Sequence, residues 1–215
     1  MKQLLLRKYP VPKTFVALLF KFNFVAMKRL AIFVSGSGTN MERLGQHFSQ
    51  HPQIQVALVV CSDPKAAALQ RAEKLGVETV VIDKNDLREG SKLLKLLQEK
   101  QIDWLILAGF LWLIPSELVA AFPNRILNIH PALLPAYGGK GMYGERVHQA
   151  VIQNQEKRSG ITIHYVNNNY DEGNIVFQQS LDIAANETPE SLAQRIHQLE
   201  HRYYPEVIEG LLLEV

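Results

Sequence analysis

Hydrophobic and polar positions along this chain alternate between short apolar runs and longer amphipathic stretches. Leu30 to Val34 is an unbroken apolar run of strand length, and Ser35 to Asn40 turns it into a helix from about Thr39 to Ser49. A second run, Gln55 to Cys61, precedes the Ala-rich stretch Lys65 to Leu75, which Gly76 closes as a helix C-terminus. Val77 to Ile82 predicts a third strand. From about Asp86 to Lys100, Leu93, Leu94, Leu96 and Leu97 share one broad apolar face and predict a single helix, and Asp103 to Ala108 predicts the fourth strand. Strands alternating with crossovers of helix length imply an α/β fold, doubly wound, with a mostly parallel sheet and helices on both faces. Ligands bind such sheets at the carboxyl ends of the strands.

The second half continues the pattern and then changes it. Pro115 opens a short helix through Phe122, and Arg125 to Ile129 predicts a fifth strand. Gly138 to Gly144 is too rich in glycine for regular structure and reads as a flexible loop. A helix from about Glu145 to Gln153 leads to strands at Gly160 to Val166 and Ile175 to Ser180. In the first of these, Ile161, Ile163 and Tyr165 alternate with Thr162, His164 and Val166, a period of two suited to a sheet with unequal faces. Thr188, Pro189 and Glu190 open the last helix, since threonine caps free amides and proline is tolerated at the first helical position. That helix is expected to reach about Glu209, with a kink near Pro205.

Two stretches carry candidate chemistry. The strand around Ile126 and Leu127 delivers Asn128 and His130 to its carboxyl end before Pro131 and Pro135 halt it. A strand buried throughout would carry apolar residues there, because a buried amide or imidazole without partners costs about 1 to 3 kcal/mol. The turn Ser35-Gly36-Ser37-Gly38-Thr39-Asn40 joins a strand to a helix, where free amides and the helix dipole favour an anion. Met41 stands where a dinucleotide fingerprint would place its third glycine, and no Walker lysine follows, so one phosphate fits better than a pyrophosphate. Taken singly, both stretches are also consistent with an ordinary capped turn and a satisfied half-buried histidine.

Composition narrows the field only modestly. The 215 residues suit one domain with a substantial core, and 47% hydrophobic content with a formal charge of +2 gives no case for nucleic-acid binding. The single cysteine, Cys61, excludes an internal disulfide, suits a reducing compartment, and reads as a buried strand end rather than a nucleophile. Residues 1–26 differ from the rest: they hold Lys2, Arg7, Lys8, Lys13 and Lys21 with no acid, and an apolar run from Phe15 to Phe20. That run is too short to span a bilayer and lacks a convincing signal-cleavage site, so residues 1–26 read as an over-extended start or a poorly ordered arm, and 27–215 as the single domain.

The order of motifs resembles the folate-dependent formyltransferase family. The resemblance rests on Asn128, His130, Pro131, Ala132, Leu133, Leu134 and Pro135, with Ser35 to Asn40 and Ala108-Gly109-Phe110 before them and Asp171-Glu172-Gly173 after. It covers Met27 to about the C-terminus and implies a Rossmann-like formyltransferase fold with antiparallel C-terminal strands. The implied reaction is attack by the amine of glycinamide ribonucleotide on the formyl carbon of 10-formyltetrahydrofolate, in purine biosynthesis, with no metal. It needs a donor for the tetrahedral oxyanion and an acid for the leaving nitrogen. Asn128 and His130 lie two apart on a strand and so share a face, and they match these roles. Asp171 matches the family's carboxylate, expected to keep His130 cationic and to relay a proton through water.

By the same resemblance Gly38, Thr39 and Asn40 hold the ribonucleotide's phosphate, and His197 and Glu200, three apart on the last helix, meet the ribonucleotide. Leu111, Trp112, Leu113, Ile114, Val166, Tyr170 and Asn128 would grip the pterin, with Arg88 near the folate. Trp112 stands where many members have arginine, and reads as a change at the pocket rim because backbone groups carry the contact. From the residues alone, Asp171 is also consistent with a turn, Trp112 with a core aromatic, Arg88 with an exposed helix charge, and His197 and Glu200 with a solvated face. His164 lines the site with no assigned role. Formyltransferases acting on initiator methionyl-tRNA normally add a C-terminal nucleic-acid-binding domain, and formyltetrahydrofolate hydrolase an N-terminal regulatory one. Neither is expected in a chain with 26 residues before Met27 and its end at Val215. A non-catalytic phosphate- or pterin-binding module would not need Asn128, His130 and Asp171 together. The expectation is a cytoplasmic enzyme of small molecules, a monomer or weak homodimer, touching neither nucleic acid nor membrane.

Overall fold

The computed structural model describes residues 27–213. Strand β1 (Lys28–Val34) leads to α1 (Thr39–His47), β2 (Ile54–Cys61), α2 (Ala67–Lys74), β3 (Thr79–Val81), α3 (Lys84–Glu89), α4 (Ser91–Glu99), β4 (Trp104–Leu107), α5 (Ser116–Ala121) and β5 (Ile126–His130). The chain continues through α6 (Glu145–Gln153), β6 (Arg158–Tyr165), β7 (Ile175–Asp182) and α7 (Pro189–Leu213). The seven strands lie in the order β3-β2-β1-β4-β5-β6-β7. Pairings from β3 through β5 are parallel, whereas β5–β6 and β6–β7 are antiparallel.

The apolar runs explain the two-sided burial. Alternate residues of β1 point to opposite faces: Leu30, Ile32 and Val34 join a core that includes residues of α1, α2, α6 and α7. Ala31 and Phe33 join the other, with residues of α3, α4 and α5. Both faces being covered, β1 has no polar position after Arg29. Tyr204 of α7 is fully buried, and its hydroxyl donates to the carbonyls of Leu107 (2.9 Å) and Leu127 (3.3 Å), tying the helix to β4 and β5.

The expected elements are present, with differences at their limits. The single helix expected from Asp86 to Lys100 is two: Gly90, at φ 61°, ends α3 and begins α4 in a conformation closed to most side chains. Asp83 starts α3 earlier than expected, through a capping box with Asp86. Strand β3 is only three residues, paired to β2 from Val59 to Cys61. The last helix passes Glu209 and continues through Pro205 to Leu213. A proline inside a helix frees the carbonyl four residues earlier; here that is His201, whose oxygen accepts from Arg43 Nε at 3.2 Å. The reading of residues 1–26 falls outside the described residues.

Chain order places the crevice. From β1 the sheet grows outward to β2 and β3, then returns to the other side of β1 with β4 and β5, so the switch in direction lies between β1 and β4. There Ser35 N donates to Gly109 O at 3.1 Å. Ser35 Oγ accepts from Leu111 N (3.0 Å) and from Ser62 Oγ (2.6 Å), joining the segments that follow β1, β2 and β4.

Candidate functional site

A cavity of about 700 Å³ opens at this crevice. Its floor at one end is the N-terminus of α1. Gly38, the residue before the helix, has φ 75°, and a Cβ there would lie 2.5 Å from Cβ of Ala68, so glycine is required twice over. No side chain caps this helix, which leaves its first amides, at Thr39 and Asn40, pointing outward with the positive end of the dipole. Arg71 braces the turn by donating from Nε to Ser37 O at 3.0 Å and by pairing with Glu42.

Glu200 reaches the same end from α7 and is only 4% exposed. Its Oε2 accepts from Asn40 Nδ2 and from His197 Nδ1, both at 2.8 Å. The Glu200 carboxylate raises the pKa of His197 above its ordinary value, against the opposing effect of burial. Asn40 Oδ1 is buried with no donor among the described residues. A buried carboxylate, an amide oxygen short of a hydrogen and a helix N-terminus together suit a ligand that carries hydroxyls next to an anion.

The other end is built on the antiparallel pair β5–β6. Register sets Asn128 opposite His164 and His130 opposite Thr162, so the two polar residues of β5 and His164 share one face. Asp171 enters from the turn after β6, at φ 57°, a backbone region that non-glycine residues visit rarely but aspartate tolerates. Gly173 permits that turn, since a Cβ there would fall 1.7 Å from Tyr165 O. Asn128 Nδ2 donates to His164 Nε2 at 3.1 Å and to Asp171 Oδ1 at 3.3 Å. Asp171 Oδ2 accepts from Gly139 N at 3.0 Å and lies 3.5 Å from His130 Nδ1. His164 Nδ1 donates to Tyr165 O (2.8 Å), which leaves Nε2 as the acceptor for Asn128.

His130 is held between two acceptors. Nε2 donates to the carbonyl of Tyr137 at 2.8 Å while Nδ1 faces Asp171, an arrangement in which only the imidazolium satisfies both contacts. Burial nevertheless pushes the His130 pKa below its ordinary value, and Asp171 offsets only part of that. Burial would also raise the Asp171 carboxyl, but the neighbouring His164 and His130 rings, with the Gly139 amide, hold it below the usual carboxylate range.

Gly38, Thr39, Asn40, Leu111, Trp112, Leu113, Ile114, Asn128, His130, Val166, Tyr170, Asp171, His197 and Glu200 all line this one cavity. Arg88 does not. It lines a second cavity of about 660 Å³, which shares Trp112, Leu113, Ile114 and Tyr170 with the first as lining residues. Trp112 stands at the boundary, edge-on to Phe110 and 6.0 Å from Lys84 Nζ. Sequence reasoning misses the binding of Asp171 by Gly139, and it leaves His164 without the part that its contacts with Asn128 and Asp171 define. Also unforeseen, His148 lines the cavity. Cys61 is the buried end of β2, where burial raises its thiol pKa. Among the described residues no group of His, Cys, Asp and Glu could hold a metal ion, and no helix is long and apolar enough to cross a membrane.

Comparison with known proteins gives a consistent set of relatives. The profile of the family described as Formyl transferase matches residues 28–208. A protein named phosphoribosylglycinamide formyltransferase, chloroplastic, from Arabidopsis thaliana is 43% identical over 193 residues, covering 87% of this chain and 66% of that protein. The chain likewise covers 62% of the protein of the same name from Vigna unguiculata, so it spans about two thirds of these plant relatives or somewhat less. The Bacillus subtilis protein named phosphoribosylglycinamide formyltransferase is 35% identical over 191 residues, covering 86% of this chain and 95% of that one. The solved structure of glycinamide ribonucleotide transformylase 1 from Geobacillus kaustophilus has a TM-score of 0.79 at 37% identity, covering 86% of this chain and 99% of that chain.

Proposed function

The chain belongs to the formyl transferase family, and we propose that it transfers the formyl group of 10-formyltetrahydrofolate to the amino group of glycinamide ribonucleotide, giving formylglycinamide ribonucleotide in purine biosynthesis. One observation carries this reading: Asn128, His130 and Asp171 converge in a cavity whose far end is an uncapped helix N-terminus beside a buried glutamate. That spacing of chemistry and anion site suits a substrate with a reactive amine at one end and a phosphate at the other.

The ribonucleotide's phosphate sits on the amides of Thr39 and Asn40, with Gly38 allowing close approach. Its ribose hydroxyls donate to Glu200 and to Asn40 Oδ1, and His197 orients the glutamate. The pterin lies along the segment Leu111 to Ile114 and against Val166 and Tyr170, with Arg88 beyond Trp112 in the adjoining cavity.

The amine attacks the formyl carbon, and the carbonyl oxygen takes up the electron pair as an oxyanion. Asn128 donates to that oxygen, turning one N–H away from Asp171, the longer of its two contacts. The adduct then collapses by breaking the bond to the folate nitrogen, which must gain a proton while the attacking amine loses one. Asp171, placed beside His130, accepts the amine's proton through water and passes it to the imidazole. His130 delivers it to the leaving nitrogen. The His130 ring, with Nδ1 facing Asp171 at 3.5 Å, is placed for such a relay.

In this reading residues 27–215 act as one catalytic unit, a monomer or weak homodimer working on small molecules in the cytoplasm. The test is spectrophotometric loss of the formyl group from 10-formyltetrahydrofolate by the purified protein, with and without glycinamide ribonucleotide. Turnover that requires the ribonucleotide is expected. Turnover without it would identify a hydrolase, and folate binding without turnover would indicate another acceptor or a binding module.

A further inference from the structure

One histidine that lines the cavity has no hydrogen-bond partner among the described residues. His148, on α6, is 2% exposed and lines the cavity, yet neither ring nitrogen makes a hydrogen bond among the described residues. Its Nδ1 is fully buried and unpartnered. Nε2 is the nitrogen left to face the cavity. An unpaired buried N–H is rarer and costlier than an unpaired acceptor, so the tautomer that fits leaves the lone pair on Nδ1 and presents Nε2–H to the ligand. Protonation would add a second buried donor with nothing to receive it, and burial accordingly holds the pKa of His148 below its ordinary value.

We propose that His148 is a further substrate-binding residue, whose Nε2–H donates to the carbonyl oxygen of the glycinamide group. The inference rests on the function proposed above. A ribonucleotide with its phosphate on α1 and its ribose at Glu200 must pass its amide linkage toward His130 before the amine reaches the formyl carbon. His148 lines the same cavity as His130, His197 and Glu200, so its ring borders the space that a ligand spanning from Glu200 to His130 must cross. A neutral donor suits a neutral carbonyl oxygen, and fixing it orients the methylene and amine that follow.

The test is calorimetric binding of glycinamide ribonucleotide and of ribose 5-phosphate, which lacks the amide, to the wild-type protein and to His148→Phe and His148→Gln. The Phe variant is expected to bind the ribonucleotide about tenfold more weakly, as for one lost hydrogen bond, and ribose 5-phosphate as the wild type does. The Gln variant, whose amide can reach the Nε2 position, recovers most of that loss. Equal weakening toward both ligands, or none, overturns the assignment. Should the variants fail to fold, ¹⁵N spectra of the wild-type histidine rings decide: the His148 Nε2 resonance moves with the ribonucleotide and not with ribose 5-phosphate, and no movement with either overturns the proposal. Failure of the wild type to bind the ribonucleotide at all would instead sink the functional reading, and this one with it.

Discussion

The two ends of the cavity are built on opposite terms. At the α1 end, the proposed phosphate end, groups stand open: the first amides of α1 are uncapped and Asn40 Oδ1 has no donor among the described residues. At the chemical end Asn128, His130, His164 and Asp171 are occupied with one another and with the Gly139 amide and Tyr137 carbonyl. Open groups cost stability in the free protein and recover it when a ligand arrives, which is how binding energy is made. Mutually satisfied groups hold a fixed geometry at little cost and exchange partners only as charge develops, which is how a rate is made. The contrast teaches that substitutions at one end should act on affinity and at the other on turnover.

The strongest way to break that contrast is at the chemical end. Asn128→Ala and His130→Ala should each lower kcat by at least about 10² to 10³ while leaving the affinity for ribonucleotide near wild type, since removal of an oxyanion donor has that order of effect. If both variants keep near-native turnover in steady-state assays, Asn128 is not the oxyanion donor and His130 is not the proton donor. Asp171→Asn removes the anion that partly offsets the burial of His130. We expect a loss of about 10² in kcat, and a lower apparent pKa for His130 when its ring is titrated by NMR. An unshifted titration would detach Asp171 from His130.

Smaller effects belong to the phosphate end. Glu200→Gln should raise KM for the ribonucleotide by about tenfold with kcat within about threefold of wild type, and should lower the His197 pKa that the carboxylate now raises. Arg88→Ala, outside the main cavity, should alter only the KM for the folate, by a few-fold, as for an exposed charge. A dominant loss of kcat in either variant would erase the distinction between the two ends.

Acid should weaken the fold through His130, His148 and Asp171. His130 and His148 have folded pKa values below their ordinary value, so the unfolded chain binds protons more readily. The stability that their neutral forms contribute is complete above about pH 6.5 and falls as pH drops toward their folded values. Asp171, also depressed, adds a further loss below about pH 4. His197 runs the other way, its contribution being present below its ordinary value and lost as pH rises through its raised one. Thermal melts from about pH 7 to about pH 5 should therefore show falling stability, and His130→Ala should flatten that decline.

Much of this is legible in the chain because the signals are local. Apolar runs bounded by glycine and proline mark the parallel strands, and the spacing of Asn128 and His130 fixes their shared face whatever the tertiary setting. Gly90 escapes notice as a helix break because the leucines after it keep a helical spacing that one glycine does not disturb in sequence. His164 stands in a period-two strand, but its role depends on lying opposite Asn128 in antiparallel register, a pairing 36 residues apart that no local pattern reveals. Nothing in the sequence singles out His148, and only packing shows that its ring lacks a partner among the described residues. The downward shift of the His130 pKa is hidden for a related reason: an acid nearby in space can be inferred from motif order, whereas the desolvation that opposes it is a property of the folded surroundings.

The most direct measurement is a single turnover with 10-formyltetrahydrofolate labelled with ¹³C in the formyl group, mixed with wild-type protein and glycinamide ribonucleotide and read by NMR. The account predicts that the label leaves the folate and arrives as a formamide on the ribonucleotide's glycine nitrogen. Label released as formate, or retained on the folate while both ligands are bound, would contradict it.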